Sequence, residues 1–161
     1  MNQGSTRRSE PEGVRTAAEA DLDQLSRIDN EIFPHDAYPY FVLRQLFDVH
    51  SDGFLVLDSA TGLLGYTLLA TKPDVKTSWV LGLGVVPGSR GLGHGRRLMT
   101  EGLVRLAAEG VGEVRLSVEP TNVIALNLYH SLGFGVVEER PGFFGAGNDR
   151  LIMGLPLADR R

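Results

Sequence analysis

The stretch VVPGSRGLGHGRRLM, residues 85–99, joins an apolar run that ends at Pro87 to a run with helical spacing, through three alternating glycines. Glycine reaches backbone dihedrals that other residues avoid, and it lets a ligand approach the chain closely. A strand, a glycine-rich turn and a helix N-terminus in that order gather free N–H groups and the positive end of a helix dipole, a combination that favours phosphate. Arg90, Arg96 and Arg97 crowd the same turn and add formal charge. Two nucleotide patterns fail on spacing. A Walker loop needs Gly-Lys-Ser/Thr where Arg96-Arg97-Leu98 stands, and the dinucleotide fingerprint needs G-x-G-x-x-G where this loop reads G-x-G-x-G.

Upstream of the loop, Leu22, Leu25, Ile28 and Ile32 recur at helical spacing, after a short strand that includes Val14. FPHDAYPY (33–40) breaks that pattern, and a second short helix starts near Pro39 and carries Leu43, Leu46 and Phe47. FLVLD (54–58) and LLGYTLLAT (63–71), linked by Ser-Ala-Thr-Gly, predict an antiparallel hairpin, and WVLGLGVV (79–86) predicts a central strand. Downstream, residues 96–109 predict a helix with Leu98, Met99, Leu103, Leu106 and Ala107 on one side and Arg97, Glu101 and Arg105 on the solvated other. A strand over 113–119, a helix over 122–132 stopped by Gly133, and closing strands in FGVVEE and RLIMGLPL complete the chain. The mixed order predicts an α+β (mixed α/β) domain, with helices on both faces of one mostly antiparallel sheet.

At 161 residues the chain suits a single domain over 13–161, preceded by a disordered, polar lead-in over 1–12. A net charge of −4 argues against nonspecific nucleic-acid binding. No cysteine is present, so disulfides, thiolate metal sites and a catalytic thiol are excluded; no metal is expected. No apolar run approaches the roughly 18–20 residues of a membrane span, and the N-terminus lacks the apolar core of a signal peptide. A soluble, cytoplasmic monomer or homodimer is expected.

Arg90-Gly91-Leu92-Gly93-His94-Gly95 resembles R/Q-x-x-G-x-G/A, the pyrophosphate loop of the GNAT superfamily of acyl-CoA-dependent N-acyltransferases. A second block, NVIALNLYHSLGF (122–134), resembles the family segment N-x-x-A-x-x-L-Y-x-x-x-G-F, in the right order and separated from the first by a helix and a strand. The resemblance covers about residues 13–157 and is nearest in pattern to bacterial N-terminal alanine acetyltransferases of ribosomal proteins. It implies a splayed sheet, with the pantetheine arm of acetyl-CoA between the strand before the loop and the next parallel strand. It further implies that backbone groups around Leu83, Gly84 and Val85 pair with that arm, that amides from Gly91 to Arg96 hold the pyrophosphate, and that Asn122 contacts the cofactor from the other side. Acetyl would pass directly to a primary amine, without an enzyme thiol.

That reaction needs a neutral amine, a stabilised oxyanion and a proton for the departing thiolate. Tyr129 matches the family tyrosine, and a phenol of pKa about 10 suits a proton donor. The family implies the Val85 N–H as oxyanion donor. Ribosomal-type enzymes carry a glutamate base on the strand before the second block, and the matching position here is Ser117. Serine is no strong base but can order a water. Glu119 is expected on the same side of that strand, and His35, Asp36 and His130 are further base candidates. A weak base suits an α-amine of pKa about 7.7–8.0 better than a lysine amine near 10.4.

The acceptor pocket is expected from FPHDAYPYF (33–41) and ERPGFFGAGND (139–149), regions that flank the acceptor channel in the resembling family. Phe33, Tyr38, Tyr40, Phe143 and Phe144 are its candidate walls, with Asp36 or Glu139 to hold a cationic acceptor. A protein N-terminus and a small-molecule amine both stay open as acceptors. The alternative function is a noncatalytic acyl-CoA-binding sensor or scaffold, which would have no need of Tyr129.

Overall fold

Strand β4 (Thr77–Val85) pairs in parallel with β5 (Glu113–Val118) only from Thr77 to Trp79, against Glu113 to Arg115. Beyond Trp79 the two strands part, and that gap is the feature around which the rest of the molecule is arranged. The computed structural model describes residues 13–74 and 76–157; the lead-in expected over 1–12 lies outside them. The remaining strands are β1 (Gly13–Thr16), β2 (Phe54–Ser59), β3 (Gly62–Thr71), β6 (Gly135–Arg140) and β7 (Arg150–Pro156). Together they form one seven-stranded sheet in the order β1-β2-β3-β4-β5-β7-β6, with every pairing antiparallel except β4–β5.

Helices cover both faces, as the order of elements predicts. α1 (Leu22–Ile32) and α2 (Tyr40–His50) pack on one face around Leu25, Ile28, Ile32, Leu43, Phe54 and Tyr66. α3 (His94–Ala108) and α4 (Val123–Ser131) pack on the other around Met99, Leu103, Leu106, Leu116, Tyr129 and Phe134. Each face buries a continuous apolar cluster, the dominant stabilising term for a domain of this size. On the solvated side of α3, Glu101 pairs with Arg105 at 3.5 Å across one turn.

Two details differ from the sequence expectation. α3 starts at His94 rather than at residue 96, because Gly93 takes φ +81° and lets the chain enter the helix at once. β4 also carries an extra residue. Leu68 pairs with Gly82 and Leu69 with Val80, which leaves Leu81 as a bulge. The bulge re-aims β4: Val80 and Leu83 pack toward α3 and α4, while Leu81 packs toward α1 and α2. Gly82 and Gly84 then fit close neighbours. A Cβ on Gly82 would lie 2.8 Å from the Tyr66 ring, and one on Gly84 would lie 3.0 Å from Ile32.

Candidate active site

Where β4 and β5 part, a cleft of about 550 Å³ runs between the two helical layers. One wall is Val80 to Leu83 of β4, the other Leu116 to Val118 of β5 with Glu119 just beyond it. Asn122, Ala125 and Tyr129 line it at the α4 end, and Asp29, Phe33, Asp36, Tyr38, Phe144, Asn148 and Arg150 line it at the opposite end. A smaller hollow of about 260 Å³ beyond the end of α2 holds none of the predicted residues.

The glycine loop lies just past the end of β4. Gly91 has φ +79° and Gly93 φ +81°, a left-handed region that a side chain disfavours. No atom stands within 4 Å of where a Cβ would be at either position, so conformation and not crowding requires glycine there. No side chain caps α3, and its first backbone bond runs from the Arg97 N–H to the Gly93 carbonyl at 3.0 Å. The amides of His94, Gly95 and Arg96 therefore lie ahead of the first intrahelical bond, in the geometry of an anion site. Arg90 donates through Nε to the Val85 carbonyl at 3.2 Å, and Arg96 donates to the Ser131 hydroxyl on α4. Leu92, at the tip of the loop, is exposed. An uncapped helix start, two open glycines and flanking arginines fit the diphosphate of coenzyme A.

Backbone direction in β4 divides the three residues expected to meet the pantetheine arm. The Val86 N–H bonds the Leu64 carbonyl at 2.9 Å, so Val86 faces β3. Alternation along an antiparallel ladder then turns the polar groups of Val85 and Leu83 toward the open β5 side, and those of Gly84 toward β3. Gly84 is thus corrected from a cofactor contact to a packing position beneath Ile32 and Phe33. Leu83 lines the cleft, and the Val85 N–H points into the gap between β4 and β5.

Tyr129 reaches the cleft from α4. It is only 8% exposed, its ring meets Phe134 edge-on at 5.9 Å, and burial pushes its phenol up to about 12. Among the described residues nothing hydrogen-bonds its hydroxyl, and no buried side-chain oxygen lacks a partner, so the hydroxyl opens onto the cleft. Asn122 caps α4, accepting from the Ala125 N–H at 3.2 Å through Oδ1, and it also borders the cleft.

On β5, Val114, Leu116 and Val118 enter the α3–α4 core, which leaves Ser117 on the opposite face; Glu119, just past the end of the strand, lines the cleft with it. Glu119 is held 3.5 Å from the Arg150 guanidinium. Phe33, Asp36 and Tyr38 line the end of the cleft away from α4. Tyr40 does not. As the first residue of α2 it is 48% exposed, and its hydroxyl donates to Asp23 at 2.9 Å, so it is corrected from a pocket wall to a surface tie. Phe144 reaches the cleft, whereas Phe143 lies under the Arg140 guanidinium. His35, His130 and Glu139 are exposed and outside the cleft lining.

Asp29 and Arg150 also line the cleft and were not singled out in the sequence. Asp29 is 1% exposed and accepts from the Tyr66 hydroxyl at 2.6 Å and the Tyr38 N–H at 2.9 Å. Tyr38 in turn donates to the carbonyl of Leu81, the bulged residue, at 2.7 Å. Burial first and the Asp29 carboxylate second raise both phenols, that of Tyr66 well above its ordinary value. The signal was present, since Asp29 sits four residues after Leu25 and three before Ile32 on the buried stripe of α1. Arg150, the other, opens β7 and carried no local signal.

A model of the Acetyltransferase (GNAT) family matches residues 20–134. An N-alpha-acetyltransferase of Sulfolobus acidocaldarius is 26% identical over 155 residues, covering 89% of this chain and 92% of its own length. The ribosomal-protein-S18-alanine N-acetyltransferase of Escherichia coli superposes with a TM-score of 0.80 at 20% identity, covering 91% of this chain and 94% of its own. The Salmonella typhimurium protein yncA, solved with its cofactor acetyl-CoA, superposes with a TM-score of 0.79 at 22% identity, covering 93% and 96%. These two structures match equally well and share the fold alone, so they do not single out the ribosomal-protein type. Among the described residues no helix is long and apolar enough to cross a membrane. The chain belongs to the GNAT family of acetyltransferases, and is an enzyme that moves an acetyl group from acetyl-CoA to an amine.

Proposed function

We propose that the acceptor is the α-amine at the N-terminus of a peptide or protein. The observation that carries this reading is Ser117, which stands inside the cleft on the acceptor-side face of β5. A serine hydroxyl orders a water but removes no proton from a strongly basic amine, so the acceptor must arrive largely neutral. An α-amine of pKa about 7.7–8.0 does so near neutral pH, and a lysine amine near 10.4 does not. The name of the archaeal relative supports the same class. So does the resemblance to ribosomal-protein enzymes, from which Ser117 departs in the manner of proton removal.

Bound acetyl-CoA supplies an activated acetyl thioester. The amides of His94, Gly95 and Arg96, with Arg90 beside them, hold its diphosphate, and the outward backbone of Leu83 receives the arm opposite Asn122. The Val85 N–H serves as oxyanion donor, a contribution of roughly 3 kcal/mol for a preorganised group. Tyr129 stabilises the leaving thiolate by donating a hydrogen bond. With its phenol at about 12, complete proton transfer to a thiolate of pKa near 8.5 would be uphill by roughly 5 kcal/mol. The proton lost by the acceptor amine leaves through water at Ser117 and balances the thiolate.

A thiol-release assay with peptides tests the acceptor class. At pH 7.5 a peptide with a free N-terminus is expected to exceed its N-blocked, lysine-containing counterpart by about 10²-fold in kcat/KM, the ratio of their neutral fractions. Equal or faster turnover of the lysine amine would contradict it.

A further inference from the structure

We propose that Arg150 is a specificity residue that receives a carboxylate carried by the acceptor next to the reacting amine. The inference rests on the α-amine reading above and deepens it: the favoured acceptors are N-termini with an acidic side chain at the second residue.

Arg150 lies inside the cleft with its side chain only 14% exposed. Its guanidinium lies 4.9 Å above the Phe144 ring, which fixes the plane of the fork. One nitrogen donates to the Asp149 carbonyl at 2.8 Å. The only carboxylate near it among the described ion pairs is Glu119, at 3.5 Å and 51% exposed. That separation is longer than a charge-assisted hydrogen bond, and exposed pairs of this kind contribute little. A guanidinium has five N–H donors in a fixed fork that matches a carboxylate in two-point fashion. Since no buried side-chain nitrogen among the described residues lacks a partner, the donors not bonded to protein open onto the cleft. An incoming carboxylate with direct, bidentate geometry displaces Glu119.

The spacing identifies where on the acceptor that carboxylate sits. β5 and β7 pair with Ser117 opposite Ile152 and Val118 opposite Leu151. Leu151 and Met153 pack into the α3–α4 core, so Arg150 shares the opposite face with Ser117. Ser117 and Arg150 are diagonal neighbours on that face, about 7–8 Å apart at the backbone. Arg150 and Ser117 thus stand side by side on one face of the cleft, where an acceptor with its amine at Ser117 can present an acidic side chain from the neighbouring residue.

The test measures kcat/KM for peptides that differ only at the second residue, Asp against Ala and Lys, with free aspartate and glutamate as a separate arm. The wild-type enzyme is expected to favour the acidic peptide by roughly 10- to 100-fold, expressed in KM rather than kcat. Arg150→Gln should abolish that ratio, Arg150→Glu should invert it toward the Lys peptide, and Glu119→Gln should sharpen it. Acetyl-CoA titration calorimetry of each variant reports its folding, and an inverted preference cannot arise from loss of fold. Identical ratios in wild-type and Arg150→Gln enzymes overturn the proposal and leave the α-amine reading standing. Turnover of free acidic amino acids alone, dependent on Arg150, upholds carboxylate recognition and overturns the peptide reading.

Discussion

Replacing Tyr129 by phenylalanine is expected to lower kcat by about 10²-fold, with acetyl-CoA affinity and melting temperature unchanged. The three parts of this result have separate physical origins. The hydroxyl makes no hydrogen bond to the described residues, so its loss leaves no protein group unpartnered. The ring, which carries the packing against Phe134, is retained. What disappears is one donor aimed at a charge that exists only late in the reaction, and such a loss appears in kcat and not in ground-state binding. Steady-state kinetics with acetyl-CoA titration checks all three. Undiminished turnover would remove Tyr129 from the chemistry.

The largest effect on stability is expected at Asp29. Its two carboxylate oxygens each serve one donor, the Tyr66 hydroxyl and the Tyr38 N–H, at the floor of the acceptor end. Asp29→Ala leaves both donors facing a void, a cost of about 3 kcal/mol. For a domain of this size that corresponds to a fall of roughly 10 °C in melting temperature. Asp29→Asn should fall between, because an amide offers one acceptor and turns a donor toward the other donor. Thermal unfolding of the three proteins gives the order wild type, Asn, Ala; an alanine variant as stable as wild type would contradict the buried polar knot. Through Tyr38 and its bond to the Leu81 carbonyl, the same substitution should also raise KM for the acceptor.

The parts of this molecule legible in the sequence were those written in local spacing. Gly91 and Gly93 reveal a required backbone conformation, and the block from Asn122 to Phe134 places Tyr129 one turn beyond Ala125 on a capped helix. The parts that were not legible depend on register. The Leu81 bulge decides which face of β4 each later residue takes, and alternation beyond it turns Gly84 away from the gap that Leu83 and Val85 face. Tyr40 shares an aromatic segment with Tyr38, yet the start of α2 swings it out to Asp23. Arg150 looks like an ordinary strand residue until β7 sets it beside the end of β5 and Phe144 closes over it.

In the proposed mechanism, proton removal is left to the acceptor's own basicity, while Tyr129 stays a neutral donor throughout the working range. The most direct measurement is the pH dependence of kcat/KM for a set of peptides whose α-amine pKa values differ. Because burial raises the Tyr129 phenol to about 12, its protonated, donating form persists below that pH and is lost only above it. The expected profile rises one log unit per pH unit to a plateau, with an inflection near 8 that moves with the pKa of each peptide's amine, and has no descending limb below pH 10. An inflection that stays fixed as the acceptor amine changes, or a fall in rate between pH 8 and 10, would contradict it.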